Sequence, residues 1–476
     1  MTSETKAPFY TPGGFREVLA ISVPLILSTS STSLMFVVDR IFLSWYSKDA
    51  LAASLPAGAT AWAFLCMFIG ATGYVSTFVS QYDGAGRQDR IGAAIWQGFY
   101  FSCIASVFCA LTYFLAEPIF NLADHPKAIR ENEILCFRVI VLGAGGFIFS
   151  AALSAFYSGR GKTWTVMWVN IAGALINGVL DYLMIFGYGG FPEWGLFGAA
   201  LASVIAPYVM TLIYIVLLVL PENRQRFQTL SSWRFDRDLF LRLIRFGLPS
   251  GLQFTMDVTA FTTFILLVGR LGELELAASN IAFAINHLLF MPMLGLAMGT
   301  SVLVGRYLGA EQPDHAAKST WTSIWITTTY MTLFSLALII WPDEFILIFD
   351  PGNWEGNFAE VIQMTRILLY FVAAYSVLDG WNIVFSSALK GAGDTRFVFL
   401  TALTAAAITL IAPVYLACIV YGRGVYTAWF FLFVWLLFLA TVYFLRFLAG
   451  KWRSMRVIEH APAPGAVVEE GPLVEV

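Results

Sequence analysis

The sequence predicts an all-α membrane protein whose 12 transmembrane helices form two six-helix lobes related by a pseudo-twofold axis. Composition, the spacing of apolar runs and an internal duplication carry that expectation. Of 476 residues, 58% are hydrophobic and 12% are charged, whereas a soluble domain is about a quarter charged. Bilayer is therefore the expected solvent. Crossing about 30 Å of hydrocarbon takes about 20 helical residues. Segments of that length lie between turn or charge clusters at 16–44, 50–80, 91–116, 131–157, 165–188, 194–220, 241–269, 275–305, 316–341, 358–388, 396–419 and 423–448. Several exceed the minimum, which implies tilt or bending. Pro24, Pro249, Pro292 and Pro413 fall inside spans, where a missing backbone donor bends a helix.

The duplication appears when the chain is slid along itself so that Pro24 falls on Pro249. Leu27 then meets Leu252, Phe36 meets Phe261, and Leu51 to Ser54 meet Leu276 to Ser279. Gly70 falls on Gly295, Tyr82 on Tyr307, Gly84 on Gly309, Asp89 on Asp314 and Trp96 on Trp321. A slightly longer shift lays Gly159, Gly161 and Thr163 on Gly391, Gly393 and Thr395. Apolar helices resemble one another by composition alone, but the match also reproduces loop residues. Because six spans separate the copies, the halves point the same way through the membrane. Parallel repeats of this kind place a binding site between the halves and favour a transporter.

The division expected is a cytoplasmic N-terminus at 1–15, a first lobe at 16–220, a linker at 221–240, a second lobe at 241–448 and a disordered cytoplasmic tail at 449–476. Outside the spans, Lys48, Lys127, Arg130, Arg270 and Arg423 fall on one side, and the other side, which holds both termini, carries most of the 28 Lys and Arg. The positive-inside rule then puts both termini in the cytoplasm. Arg40, Arg138 and Arg366 remain within spans; the first two read as snorkelling near helix ends, and Arg366 as a candidate neutraliser of an acid.

Asp39, Asp181, Asp257 and Asp379 each lie inside a span. A carboxylate at mid-bilayer costs about 2.5–3.5 kcal/mol on insertion scales unless it is protonated, hydrated or paired, so these four are the foremost functional candidates. Asn170, Asn177 and Asp181 share one helical face, and Ser28, Thr32 and Asp39 share another. Asp39 and Asp181 sit at similar depth, with the Ser203 hydroxyl available from span six. Such a hard-oxygen set suits Na⁺ at Asp39, Asn177 and Asp181, or a proton shared between acids. In the second half, Gln253 and Asp257 are one turn apart, and Tyr375, Asp379, Asn382 and Ser386 form one face of span ten. Tyr375 offers a ring to a cation. His287 reads as a packing residue.

Other classes lack residues. A net charge of −3 without a Lys or Arg run excludes a nucleic-acid partner. No Gly-rich phosphate loop is present, so ATP is not the energy source. Cys66, Cys103, Cys109, Cys136 and Cys418 lie in apolar stretches without ligand spacing, and the four His are scattered. No enzymatic or cofactor reading follows; a coupling ion and membrane lipid are the expected partners, and the small organic cations are what the family resemblance below implies.

The stretch from Pro24 to Gly86, with VVDRIFLSWY, ALAAS and STFVSQYDGAGRQD, resembles the multidrug and toxic compound extrusion (MATE) family of bacterial antiporters, as do NIAGALINGVLDYLMIFG, GLFGAALASVIA and SSALKGAGDTRF. The resemblance implies a V-shaped pair of lobes in the inner membrane of a bacterium, acting as a monomer and exporting amphipathic cations against Na⁺ or H⁺. It maps the family's first cation site onto Asp39, Asn177, Asp181 and Ser203. It maps the second acidic set of the NorM branch onto Asp257, Tyr375 and Asp379, with Asp257 where the family often has Glu. Pro24 and Pro249 are the expected hinges. The alternative is a flippase for lipid-linked precursors, whose cavity should be basic.

Overall fold

The computed structural model describes residues 11–122, 125–349 and 358–459. Among these residues, 12 helices are long and apolar enough to cross a membrane. The first lobe contains α1 (Phe15–Tyr46), α2 (Lys48–Gly84), α3 (Asp89–Leu122), α4 (Ile129–Gly159), α5 (Thr163–Phe186) and α6 (Leu196–Val219). The second contains α7 (Arg237–Gly269), α8 (Glu273–Gly309), α9 (Pro313–Ile340), α10 (Ala359–Ala392), α11 (Thr395–Val420) and α12 (Val425–Leu448). Several helices run past the expected ends, above all α3, and α2, α8 and α10 each continue four residues beyond their expected C-terminal ends.

Burial follows the logic of a protein dissolved in lipid. On α5, Leu175 and Val179 are exposed, while Asn177 and Asp181 on the opposite side are fully buried. Apolar side chains lose nothing by facing acyl chains, whereas polar ones need partners and turn inward. Local breaks have covalent causes. Pro413 lacks a backbone donor, and α11 widens into π-helical turns at Ala406–Ile411 and Tyr415–Val420 on either side of it. Gly161 and Gly393, matched by the duplication, both follow a helix end with positive φ, +69° and +109°, a conformation that a Cβ penalises.

The lobes meet through small residues placed symmetrically. A Cβ on Gly84 would strike the Arg306 carbonyl, and one on Gly309 would strike the Gln81 carbonyl. Arg306 is the position the repeat assigns to Gln81, so the crossing of α2 and α8 is the same contact seen from each half. Likewise Gly70 of α2 faces Gly251 of α7, and Gly295 of α8 faces Ile26 of α1. Among the described residues, cross-lobe hydrogen bonds lie between the face where α1 begins and the level of two pairs. Those pairs are Ser33 with Met291 at 3.0 Å and Cys66 with Thr255 at 3.4 Å. Nearer that face, the Tyr74 hydroxyl donates to the Lys390 carbonyl at 2.7 Å, Gln81 to the Gly391 carbonyl at 3.0 Å, and Arg306 to the Arg160 carbonyl at 2.6 Å.

Two expectations are corrected. The first part of the expected tail, 449–459, is not free but forms an ordered strap. Lys451–Ser454 form a 3₁₀ turn, Trp452, Val457 and Ile458 are buried, and the Val457 amide donates to Gln81 Oε1 at 2.9 Å. Glu459 then reaches the first lobe, accepting from the Tyr82 hydroxyl at 2.7 Å, Arg87 at 2.7 Å and Arg90 at 3.2 Å. Residues 460–476, the rest of the expected disordered tail, lie outside the described residues. Arg366 neutralises no buried acid: it clasps Asp343 of the short helix Pro342–Leu347 through both carboxylate oxygens at 2.8 Å, and both partners are nearly half exposed.

The strap restores a symmetry that the sequence lacks. Tyr307, the repeat of Tyr82, donates to Glu17 at 2.6 Å. The repeat of Glu17 is Arg242, which cannot accept; it donates instead to the Val457 carbonyl at 3.4 Å, and Glu459 supplies the carboxylate. Burial works to raise the Glu459 carboxyl, but the Tyr82 hydroxyl and the Arg90 and Arg87 charges outweigh it and hold the group below its ordinary value of 4.5. Arg90 also holds Asp236, the N-cap of α7, at 2.8 Å, so strap and interlobe segment share one guanidinium.

A depressed folded-state value means that Glu459 stabilises fully above about pH 4.5 and loses that contribution as pH falls further. Thermal unfolding in detergent should therefore show Glu459→Gln below the parent protein by a constant gap from pH 5 to 8 that narrows under acid. At the crossing, Gly309→Val should cost about 1–3 kcal/mol, because overpacking must displace backbone. Gly58→Ala, a helical position with nothing near its Cβ, should leave the unfolding midpoint unchanged or raise it slightly.

Candidate functional site

The first-lobe set converges. Asp39 comes from the C-terminal half of α1, Asn177 and Asp181 from α5 and Ser203 from α6. Asp39 is 9% exposed, and Asn177 and Asp181 are 0% exposed. The Ser203 hydroxyl donates to Asp39 Oδ2 at 3.2 Å. With its NH2 group turned to the acids, Asn177 donates to Asp39 Oδ1 at 2.9 Å and to Asp181 Oδ2 at 3.2 Å. One amide thus bridges two carboxyls. Asp181 Oδ1 is buried and, among the described residues, takes no hydrogen bond. Further along the same faces, Asn170 donates to Ser28 Oγ, and Thr32 turns its hydroxyl to the Ser28 carbonyl. The polar stripe of α5 therefore packs against that of α1.

Two carboxylates this close, both removed from water, repel unless a proton or a cation joins them. The Asp181 oxygen without a hydrogen bond is the atom that such a proton or cation would meet. Among the described residues, no group of three His, Cys, Asp or Glu is arranged to hold a metal. The donor set is instead two acids, one amide and one hydroxyl, which fits a singly charged ion or a proton better than a transition metal.

The second-lobe residues form a chain rather than a pocket around one atom. Gln253 Nε2 donates to Asp257 Oδ2, and Gln253 Oε1 accepts from Lys390 Nζ at 3.0 Å. Asn382 approaches Asp379 Oδ1 at 3.4 Å. Asp379 is 9% exposed and close enough to Asp257 for the two charges to act on each other. Tyr375 is buried, its ring stacked on Trp429 with centroids 6.5 Å apart. Ser386 turns its hydroxyl to the Ile383 carbonyl, and His287 lies exposed on α8. Pro24 and Pro249 occupy matching places in α1 and α7, in the halves of those helices that touch the other lobe.

Lys390 escaped the sequence reading because the apolar run of span ten stops short of it. A signal was available: Lys390 follows Asp379 by three helical turns, so a helix carried on to Ala392 brings both to the same face.

Twelve apolar helices in two symmetric lobes, with acids buried in each, define a multi-pass membrane transporter of duplicated, two-lobe construction. The chain belongs to the MatE family, whose model matches residues 24–183 and 249–416. It is 28% identical to the multidrug resistance protein NorM of Burkholderia vietnamiensis over 388 residues, 80% of this chain and 82% of that one. It is also 28% identical to the multidrug resistance protein MdtK of Pectobacterium atrosepticum over 394 residues, 81% of this chain and 83% of that one. Among solved structures, a multidrug resistance MATE family transporter in an outward-facing conformation superposes with TM-score 0.83 at 19% identity, covering 92% of this chain and 96% of that one. A MOP superfamily transporter from Pyrococcus furiosus, described as having a binding pocket of reverse polarity, superposes with TM-score 0.82 at 20% identity, covering 92% and 96%.

Proposed function

We propose that this protein exports amphipathic organic cations across the bacterial inner membrane in exchange for Na⁺ or H⁺, alternating access between its two faces with both termini in the cytoplasm. The observation that carries this reading is the Asp39, Asn177 and Asp181 cluster, with its one unpartnered carboxylate oxygen. Coupling follows from competition. The same buried negative charge cannot be neutralised by cargo and driving ion at once, so binding one releases the other. One positive charge moving inward down about 100 mV gains about 2.3 kcal/mol, enough for a gradient of more than tenfold.

Asn177 is the residue that adapts. With NH2 inward it stabilises carboxylates that share a proton; with its oxygen inward it becomes a third ligand for Na⁺. Release of the ion and rotation of the amide therefore belong to one step. Pro24 and Pro249 are the bending elements of this cycle, since each lacks the donor that would stiffen its helix. A lipid-linked precursor is a poorer cargo. Pyrophosphate calls for a basic cavity, and in the two polar clusters here four acids, Asp39, Asp181, Asp257 and Asp379, stand against one cation, Lys390.

Purified protein in liposomes, with Na⁺ and pH gradients imposed separately, tests the exchange by ethidium fluorescence. One gradient should drive ethidium, and Asp39→Asn or Asp181→Asn should slow that driven flux at least about tenfold, the effect of losing a charge-assisted interaction. Ethidium that responds to neither gradient would overturn the proposal. Pro24→Ala and Pro249→Ala should lower the exchange rate severalfold while ethidium affinity, measured by anisotropy in detergent, stays within twofold, since neither ring is a ligand.

A further inference from the structure

The two lobes differ in one charge that the duplication does not explain. Under the longer shift, the counterpart of Lys390 is Ser158, a buried hydroxyl. The first lobe therefore holds Asp39 and Asp181 with no cation at this position, and among the described residues neither acid forms an ion pair. The second lobe holds Asp257, Asp379 and an ammonium.

The Gln253 amide fixes how that ammonium acts. Its oxygen accepts from Lys390 Nζ at 3.0 Å while its nitrogen donates to Asp257, so each end of the amide is oriented by the group it touches. The Lys390 backbone is pinned at the lobe interface by the Tyr74 hydroxyl at 2.7 Å, which leaves the four-carbon stem as the mobile part. Gln253 itself is 7% exposed, so the link runs through the protein rather than through bulk water.

We propose that Lys390 sets the charge of the cation that the second lobe accepts: as a resident positive charge relayed through Gln253, it offsets Asp257 and leaves the lobe one net negative charge, suited to a monocation. This rests on the reading of Asp257 and Asp379 as a cation site. Without Lys390 the two acids lose their resident counter-charge, and a dication replaces it better than a monocation does. The ammonium is a positioning and specificity residue; the cargo contacts the acids.

Ethidium and propidium share one ring system and differ in the N-alkyl chain, which in propidium carries a second positive charge, so the ratio of their affinities, compared between variants, reports on that charge. Binding is measured by fluorescence on the purified full-length protein in detergent. The parent protein should bind ethidium, and Lys390→Met should shift the ratio of propidium to ethidium affinity upward by about tenfold, the scale of one unit charge near a partly buried site. Lys390→Arg should keep the parent ratio. Combining Asp257→Asn with Lys390→Met restores one net negative charge and should restore that ratio. A residue that only braces the helix would change both affinities together and leave the ratio in place. An unmoved ratio in folded Lys390→Met overturns the inference while the cation-site reading stands. Should Lys390→Met not fold, the same question is put to Asp257→Asn alone, which must shift the ratio downward or the inference fails. A parent protein that binds neither probe removes the cation-site reading and the inference with it.

Discussion

A carboxylate taken out of water must be answered by a proton, a cation or a set of donors, and the architecture of this protein is arranged around that requirement. Helices satisfy their own backbone, so the bilayer tolerates them without further help. Asp39, Asp181, Asp257 and Asp379 enjoy no such independence. Each lobe answers differently: the first shares one amide between two acids and leaves an oxygen open, whereas the second ties one acid to a lysine through a glutamine. Duplication supplied two equivalent bundles. Their polar interiors came to hold different groups: two acids, an amide and a hydroxyl in the first, and two acids, an amide and an ammonium in the second.

The parts legible in the sequence are those set by local composition and period. Twelve apolar lengths, the doubled pattern of glycines and tyrosines, and aspartates inside spans all follow from residues read one segment at a time. Convergence of Asp39, Asn177, Asp181 and Ser203 was legible because helical phase and depth are simple functions of position. Lys390 was not, since its role depends on a helix running past its apolar end and on a glutamine from another helix. The seat of Glu459 was equally hidden: the tail lacks periodicity, and its order comes from Gln81, Tyr82, Arg87 and Arg90, hundreds of positions earlier. Arg366 misled for a related reason, because its partner Asp343 stands in a short helix that the apolar pattern does not announce.

The glycine contacts explain why the lobes belong together without being fused. At Gly84 with Arg306, Gly309 with Gln81 and Gly70 with Gly251, backbone lies against backbone with no side chain between. Close approach of this kind supplies dispersion and leaves little interdigitation to unlock. The seam is symmetric, and the polar groups that cross it gather toward the face where α1 begins.

The strap after α12 bears on how the molecule is made. Helices enter the membrane in the order of synthesis, so the first bundle is complete in sequence long before Val457 and Glu459 leave the ribosome. Until then Tyr82, Arg87 and Arg90 lack the carboxylate that gathers them, and the Gln81 amide has only half of its bonds. An early part of the chain therefore depends on a segment made much later to close this part of its surface.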